Sequence, residues 1–384
     1  MKETKNKYDY IICGGGASGL VLASRICNDN YFEKKTVLLI EKEKKNTNDK
    51  TWCFWEKGKG EYDDIIFQSW QNAKFKTKDF KLNFSFNPFI YKMIKSKDFY
   101  SFMKKKLNPH SQLNQVKEKV IKINSKLNQV ITDKNTYQAD KIFSSIYNPE
   151  IVKSQRKFPV LIQHFFGCII ETKKNCFNKG EIDFMNFDIP QKNETRFIYV
   201  LPESNNRALI EYTLFSKNLL PDKEYLEEIK KYINSIDTGG YNIVENEKGQ
   251  IPMTCFRFDN YNTKDLIHIG TAGGWTKAST GYTFSRINEK SKELIRHLKK
   301  EKPLNTFNQI NRFWFYDLIF LDVLYRYNFL GNKLFKKMFQ KNNPKTIFKF
   351  LDDKSNFWEE LKIISSFPFG IFLTAFFRRI FKVN

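Results

Sequence analysis

Cysteine and histidine are scarce here, and neither is arranged for chemistry. The 384 residues hold 6 cysteines (Cys13, Cys27, Cys53, Cys168, Cys176 and Cys255) without a CxxC pair. That excludes a disulfide-dense secreted scaffold and points to a reducing cytoplasm. The 4 histidines (His110, His164, His268 and His297) lie far apart, so no metal-ligand motif forms and no metal is expected. The first residues, "MKETKNKYDY", lack the apolar core of a signal peptide, so the fold is expected to begin at once. No apolar run reaches the roughly 20 residues of a spanning helix. Internal repeats and low-complexity linkers are absent as well.

What is abundant is positive charge: 65 basic against 42 acidic side chains give a formal net charge of +23. The lysines are spread beside asparagines through every segment, as solvated faces are. No zinc-finger spacing, arginine-rich arm or RNA-binding aromatic signature accompanies them, so nucleic acid is not an expected partner. The length suffices for two joined domains around a cofactor.

The N-terminal segment carries the clearest pattern. Tyr8 to Cys13 is an apolar strand that stops at "GGGASG", and "LVLASRIC" follows with helical spacing. Gly14, Gly16 and Gly19 thus form a GxGxxG turn between strand and helix, with Ala17 opening the helix. Missing side chains there let backbone N–H groups approach a pyrophosphate. "TVLLI", Thr36 to Ile40, is a second buried strand, and it ends on Glu41, placed to accept hydrogen bonds from a ribose. Much later "DLIHIGTAGG" runs a strand into Gly270, Ala272 and Gly273, where FAD proteins bring the rest of the cofactor to the sheet. Many such proteins have Gly-Asp at that point; this chain has Gly270-Thr271, which leaves the contact to backbone.

These readings give an α/β chain with a discontinuous Rossmann-like FAD-binding unit over 1–150 and 258–300, carrying an insertion around 61–95. Within it a helix is predicted from Ser96, where "SKDF" reads as a capped start. Residues 151–257, with "QHFFGCIIE", "RFIYVLP" and "RALIEYTLF", are predicted to form an antiparallel sheet covering a substrate. Thr280 to Leu298 has helical periodicity. Residues 301–384 are predicted to be helical and membrane-associated. There Val323, Leu330, Leu334 and Met338 share one side of a helical wheel, away from Lys333, Lys336 and Lys337. Ile363 to Phe377 is an uncharged run of 15 residues broken by Pro368 and Gly370. Arg378, Arg379 and Lys382 edge it, as suits an interfacial helix.

Six blocks carry a resemblance: "NDKTWCFWE" (Asn48 to Glu56), "QHFFG" (Gln163 to Gly167), "VLP…RALIEYTLF" (Val200 to Phe215), "IPMT" (Ile251 to Thr254), "GTAGGWTKASTGYTF" (Gly270 to Phe284) and "FLDDKSNFWEELKIISSFP" (Phe350 to Pro368). Together, in order and across almost the whole chain, they resemble the bacterial lycopene cyclase family. The resemblance implies a protein that binds FAD, works with it reduced by a donor such as NAD(P)H, and cyclises the linear ends of lycopene or a related carotenoid to β-ionone rings without net redox change. It implies a peripheral, monotopic enzyme on the cytoplasmic face of the inner membrane. The family's acidic FLEE-type motif maps onto "LIEYT", making Glu211 the catalytic acid. The motif's second acid is Tyr212 here, and "MNF" (Met185 to Phe187) departs from the pattern where an acid is expected. Trp52, Phe54, Trp55 and Trp275 become candidate substrate-lining residues, and Trp275, Thr280 and Gly281 are placed near the flavin. Two other readings compete: an FAD-dependent monooxygenase or polyprenyl reductase of the same fold, and a basic membrane-binding protein whose flavin is structural or lost.

Overall fold

The computed structural model describes residues 6–307 and 310–383, the last two of them by their backbone alone. The strands Leu113–Lys117, Val37–Glu41, Lys7–Cys13, Thr136–Ser144 and Leu266–His268 lie side by side in that order, all parallel. "VLLIE" has no alternation because both faces of this sheet are covered. Helices Ala17–Cys27 and Phe284–Leu298 pack on one face, with Leu20, Val21, Leu39, Ile287 and Leu294 in their shared core. The antiparallel strands Val120–Asn124 and Gln129–Thr132 extend the sheet at one edge.

A second sheet of seven strands is antiparallel apart from one pair. Its centre is Tyr241–Thr254, Val160–Thr172, Arg207–Ser216 and Thr195–Pro202. The hairpin Asn72–Thr77 and Phe80–Ser85, read in the sequence as an insertion of the first unit, extends this second sheet, because Asn72–Thr77 pairs with Glu181–Asn186. Alternation decides which side each residue serves. Leu209 and Phe215 enter the large core under the C-terminal helices, while Ile210, Tyr212 and Leu214 pack beneath helix Asp222–Asn234 on the other side.

Several local expectations are corrected. The helix begins at Ser96, but the Ser96 hydroxyl accepts the Lys50 N–H (3.0 Å) instead of capping its own helix. The side-chain oxygen of Asn48 takes the cap's place, accepting the Ser96 N–H at 3.0 Å. The later helix starts at Phe284; residues 280–283 form a loop, because Gly281 adopts φ +75°. The predicted amphipathic stretch is two helices, Arg312–Arg326 and Gly331–Lys341, broken at Asn328–Leu330. Val323, Leu334 and Met338 are buried in the main core, with Leu330 packed against it, so that apolar side is spent inside the protein.

The apolar run near the end also divides, into Phe357–Ile364 and a helix from Phe369, bent by 115°. Among the described residues no single helix is long and apolar enough to cross a membrane. Arg378 and Arg379 are not free to meet lipid. Both pair with Asp322, which is 0% exposed, and Arg379 Nε lies 2.8 Å from an Asp322 oxygen. The side chain of Lys382 lies outside the described residues.

Removing one partner of such a buried ion cluster leaves an uncompensated charge and costs about 3–5 kcal/mol. Asp322→Ala is therefore expected to lower the unfolding free energy by about that much in denaturant titration. Asp322→Leu combined with Arg379→Met is expected to recover most of the loss; equal destabilisation by single and double variants would show that the pair is not the cause.

Candidate functional site

Gly14 sits at φ +101°, and a Cβ on Gly19 would stand 1.9 Å from the Gly14 carbonyl oxygen, so strand and helix approach as closely as they do only because side chains are missing. Gly16 precedes helix Ala17–Cys27 with no side-chain cap, and nothing lies within 4 Å of where its Cβ would be. The first helix N–H groups thus point into open space, as a phosphate requires. Glu41 closes the second strand and accepts the Gly15 N–H at 2.6 Å and the Glu43 N–H at 2.9 Å. Its carboxylate keeps lone pairs for a ribose.

Gly270 (φ +62°) packs on this helix start, where a Cβ would lie 2.0 Å from Ser18 Oγ, and Ala272 and Gly273 complete a buried turn. The loop that follows is held by ions. Buried Lys277 bridges Asp353 (2.7 Å) and Asp317 (3.0 Å), Arg286 binds Asp353 at 2.7 Å, and Arg286 Nε donates to the Trp275 carbonyl at 3.0 Å. Trp55 Nε1 donates to the adjacent Asp352 at 2.9 Å. The "LDD" block therefore fixes the "GWTKASTGY" block and the "TWCFWE" strand from the C-terminal region.

A single cavity, with about 330 Å³ open to water-sized molecules, connects Gly16, Ala17 and Ser18 to Glu211. Two buried polar atoms on its wall have no protein partner, Gln163 Oε1 and Thr280 Oγ1. Buried polar atoms are normally satisfied, so an open glycine cradle, a free helix N-terminus and this set of orphans fit a dinucleotide with a polar ring system.

Glu211 lies mid-strand and lines the cavity. Burial, reinforced by the charge of Glu247, pushes its carboxyl up to about 8, against the opposing effect of the Thr213 hydroxyl, which donates to it at 2.6 Å. Tyr212 faces the other side of the sheet, fully buried and hydrogen-bonded to Arg196 at 3.1 Å. An acid at that position would not reach the cavity, so the motif's departure there removes nothing from it. Asn186 of "MNF" is likewise buried and accepts the Asp188 N–H at 3.0 Å.

Of the four aromatics singled out, Trp52 alone lines the cavity, stacked on Phe284 with centroids 5.2 Å apart. Phe54, Trp55 and Trp275 are core residues. Strand Thr51–Lys57 runs between two cores, and its alternation turns Cys53 inward beside Glu211. The sequence reading missed Tyr91, Tyr199 and Tyr282, which interact with one another beside Glu211, and Phe165, which overlies Gly249. It also missed Glu247. That carboxyl is pushed up by burial and accepts the Thr51 hydroxyl at 2.6 Å. The signal was present: period-2 alternation along "YNIVENEKGQIPMT" puts Glu247 on the face of Gly249 and Ile251.

Solved structures share this architecture. A geranylgeranyl bacteriochlorophyll reductase-like protein from Thermoplasma acidophilum superposes with TM-score 0.60 at 14% identity, covering 96% of this chain and 98% of its own. A tryptophan halogenase from Shewanella frigidimarina gives 0.54 at 11% (100% and 89% covered), and a flavin-dependent brominase 0.55 at 10% (90% and 93% covered). At these identities the likeness establishes the Rossmann-type α/β fold. No curated protein matches the chain. The family model described as "Lycopene cyclase protein" matches residues 9–376, nearly the whole length, and the chain belongs to that family.

Proposed function

We propose that this protein is a lycopene cyclase that uses reduced FAD to close β-ionone rings at the linear ends of lycopene or a related carotenoid, with Glu211 as the acid. The observation that carries the reading is a carboxyl held at about 8 on the wall of a cavity that also opens onto a dinucleotide-binding turn. Near neutral pH Glu211 is protonated and serves as a general acid. Its proton forms a C–H bond at the terminal double bond of the polyene. The tertiary cation so formed is attacked by the neighbouring double bond, and loss of an adjacent proton completes the ring. Substrate and product are isomers, so no electrons are consumed.

Gly14, Gly16, Ala17, Gly19 and Glu41 would hold the adenine dinucleotide portion of FAD, and Gly270, Ala272, Gly273 and Gly281 its other end. When bound and reduced, the flavin supplies an electron-rich surface that favours a nearby cation. Trp52, Phe165 and the three tyrosines present aromatic surface to the same space. NAD(P)H is proposed as the electron donor.

Membrane contact is supported by the bent helix pair, where Trp358 is 75% exposed, Phe369 78% and Phe381 80%, with Phe357 and Phe377 beside them. Such a surface and a hydrocarbon substrate support the proposal of a monotopic position, with the cytoplasmic membrane face proposed alongside it. The competing reading, a polyprenyl reductase or monooxygenase, shares the fold and requires NADPH consumption in step with product.

Expression in lycopene-accumulating cells is expected to give cyclic carotenoid by HPLC, and Glu211→Gln to reduce it by about 10²–10⁴-fold while retaining flavin; untouched lycopene with the wild type would overturn the function, and cyclisation by the variant would overturn the acid. The acid is active protonated, so the rate is expected to fall as pH rises through about 8. Stability shares this sign. The folded state holds a proton that the unfolded chain has already lost, so the contribution is complete below the ordinary carboxyl range and is lost as pH rises to about 8. Glu211→Gln is expected to flatten that slope in thermal melts.

Gly16→Glu fills the open cradle without a clash in the protein and is expected to fold normally but purify without the flavin that the wild type carries and NAD(P)H bleaches anaerobically; flavin retained by the variant would move the cofactor elsewhere. Trp358→Asp with Phe369→Asp is expected to abolish sedimentation with phospholipid vesicles that the wild type shows. Unchanged sedimentation would remove this surface from the membrane.

A further inference from the structure

The strand Val160–Thr172 runs between Arg207–Ser216 and Tyr241–Thr254. In register, its Gly167 is opposite Glu211 on one side and Glu247 on the other. Directly paired positions across a ladder share a face, so both carboxyl groups stand over a residue that has no side chain. A Cβ there would lie 2.9 Å from Leu209 Cδ1 and 3.1 Å from Glu247 Cγ, so the space above Gly167 is already taken by its neighbours. Both acids line the same cavity.

We propose that Glu211 and Glu247 work as one carboxylic acid–carboxylate pair across Gly167, with Glu247 as the positioning residue that keeps the proton on Glu211 and adds a second negative charge facing the polyene end. This rests on the cyclase reading above. The asymmetry of the pair comes from its partners. Burial pushes the Glu247 carboxyl up and Glu245 adds to this, but the Thr51 hydroxyl it receives and the nearby Lys95 ammonium favour its anion. Glu211 has the Thr213 hydroxyl and no cation; Cys53, Tyr199 and Tyr282, its other titratable neighbours, are neutral because burial holds their protons, as it does for Tyr91 behind them. The charge of Glu247 acts on Glu211 across Gly167, so the proton stays on the member with the weaker anion support.

The chemistry uses the arrangement twice. While Glu211 holds its proton, the pair carries one negative charge. When that proton forms the new C–H bond, the pair carries two, and these face the tertiary cation just created. The attraction exists only after proton transfer begins, which is the condition for lowering a barrier and not merely binding substrate. The C–H bond that breaks at ring closure returns a proton to the pair, restoring the starting state with no net uptake.

The test separates the pair from the function. Carboxylic acid C=O bands are titrated by infrared difference spectroscopy in wild-type, Glu211→Gln and Glu247→Gln protein, and cyclisation rates are measured from pH 6 to 9 with reduced FAD. Glu211→Gln is expected to remove the band that titrates near 8. Glu247→Gln is expected to lower the midpoint of that band by about one pH unit or more, shift the alkaline limb of the rate profile with it, and cut the rate at pH 7 at least about tenfold. Glu247→Asp, which keeps a charge one methylene farther back, covers the case in which the Gln variant does not fold, and its midpoint is expected to fall by less. An unmoved band and unmoved limb in both Glu247 variants, with Glu211→Gln inactive, would overturn the pair and leave the cyclase reading intact. Failure of the wild type to cyclise lycopene would instead overturn the cyclase reading, whatever the bands do.

Discussion

The cluster of Asp353 with Lys277 and Arg286 is the constraint on which the site depends. A buried ammonium and a largely buried guanidinium converge on one carboxylate, and Asp317 supplies a second anion to Lys277. Desolvating such charges is costly unless each is paired and hydrogen-bonded, so the four groups are compatible with one arrangement only. That arrangement fixes the loop from Trp275 to Thr283, which carries Gly281 in the left-handed region and the orphaned Thr280 hydroxyl. Within the loop the Lys277 carbonyl accepts the Gly281 N–H at 2.8 Å and Lys277 N–H reaches the Tyr282 carbonyl at 2.9 Å, and the ion cluster ties this turn to the C-terminal region. The tie comes from Asp353, at the other end of the chain.

The same clamp explains why the C-terminal helices are part of the enzyme core. Their apolar side, Leu334, Met338 and Phe348, packs with Phe75, Phe187 and Phe184 of the second sheet, and Asp352 reaches Trp55 on the strand that separates the two cores. What remains exposed and apolar is the outer surface of the final bent pair. Charge at its base, Arg378 and Arg379, is internal and closes the fold around Asp322. An amphipathic pattern with flanking arginines thus has two outcomes in one region: the inner helices use it to complete a core, while the last two keep several apolar side chains exposed.

The sequence made the glycine turn, both strands flanking it, Glu41 and the parallel sheet legible, because local rules govern them: a tight turn needs glycine, and a doubly covered strand needs an unbroken apolar run. Glu211 became legible through its motif, and the opposite orientation of Tyr212 through strand alternation. Other features depend on distant partners. Trp55 and Trp275 look like ligand-binding aromatics in sequence, yet their burial follows from helices folded hundreds of residues apart in the chain. Ser96 resembles a cap, but Asn48 occupies that role from a neighbouring strand's approach. The hairpin 72–85 has the alternation of any edge strand, and nothing local says which sheet it will join. Glu247 had the right periodicity and lacked only the register that sets it beside Gly167.

That register also bears on the position of the family's second motif acid, occupied here by Tyr212. Adjacent residues on a strand point to opposite faces, so an acid following Glu211 would lie under helix Asp222–Asn234, in a layer of Phe166, Ile198, Tyr225 and Ile229. In this chain Tyr212 satisfies Arg196 there without bringing a charge into that layer. A carboxylate two strands away can face the first where the strand between them lacks a side chain. Gly167 meets that condition. The requirement for two acids on one face is thus a requirement on three strands, written at positions 167, 211 and 247 and readable only once they are paired.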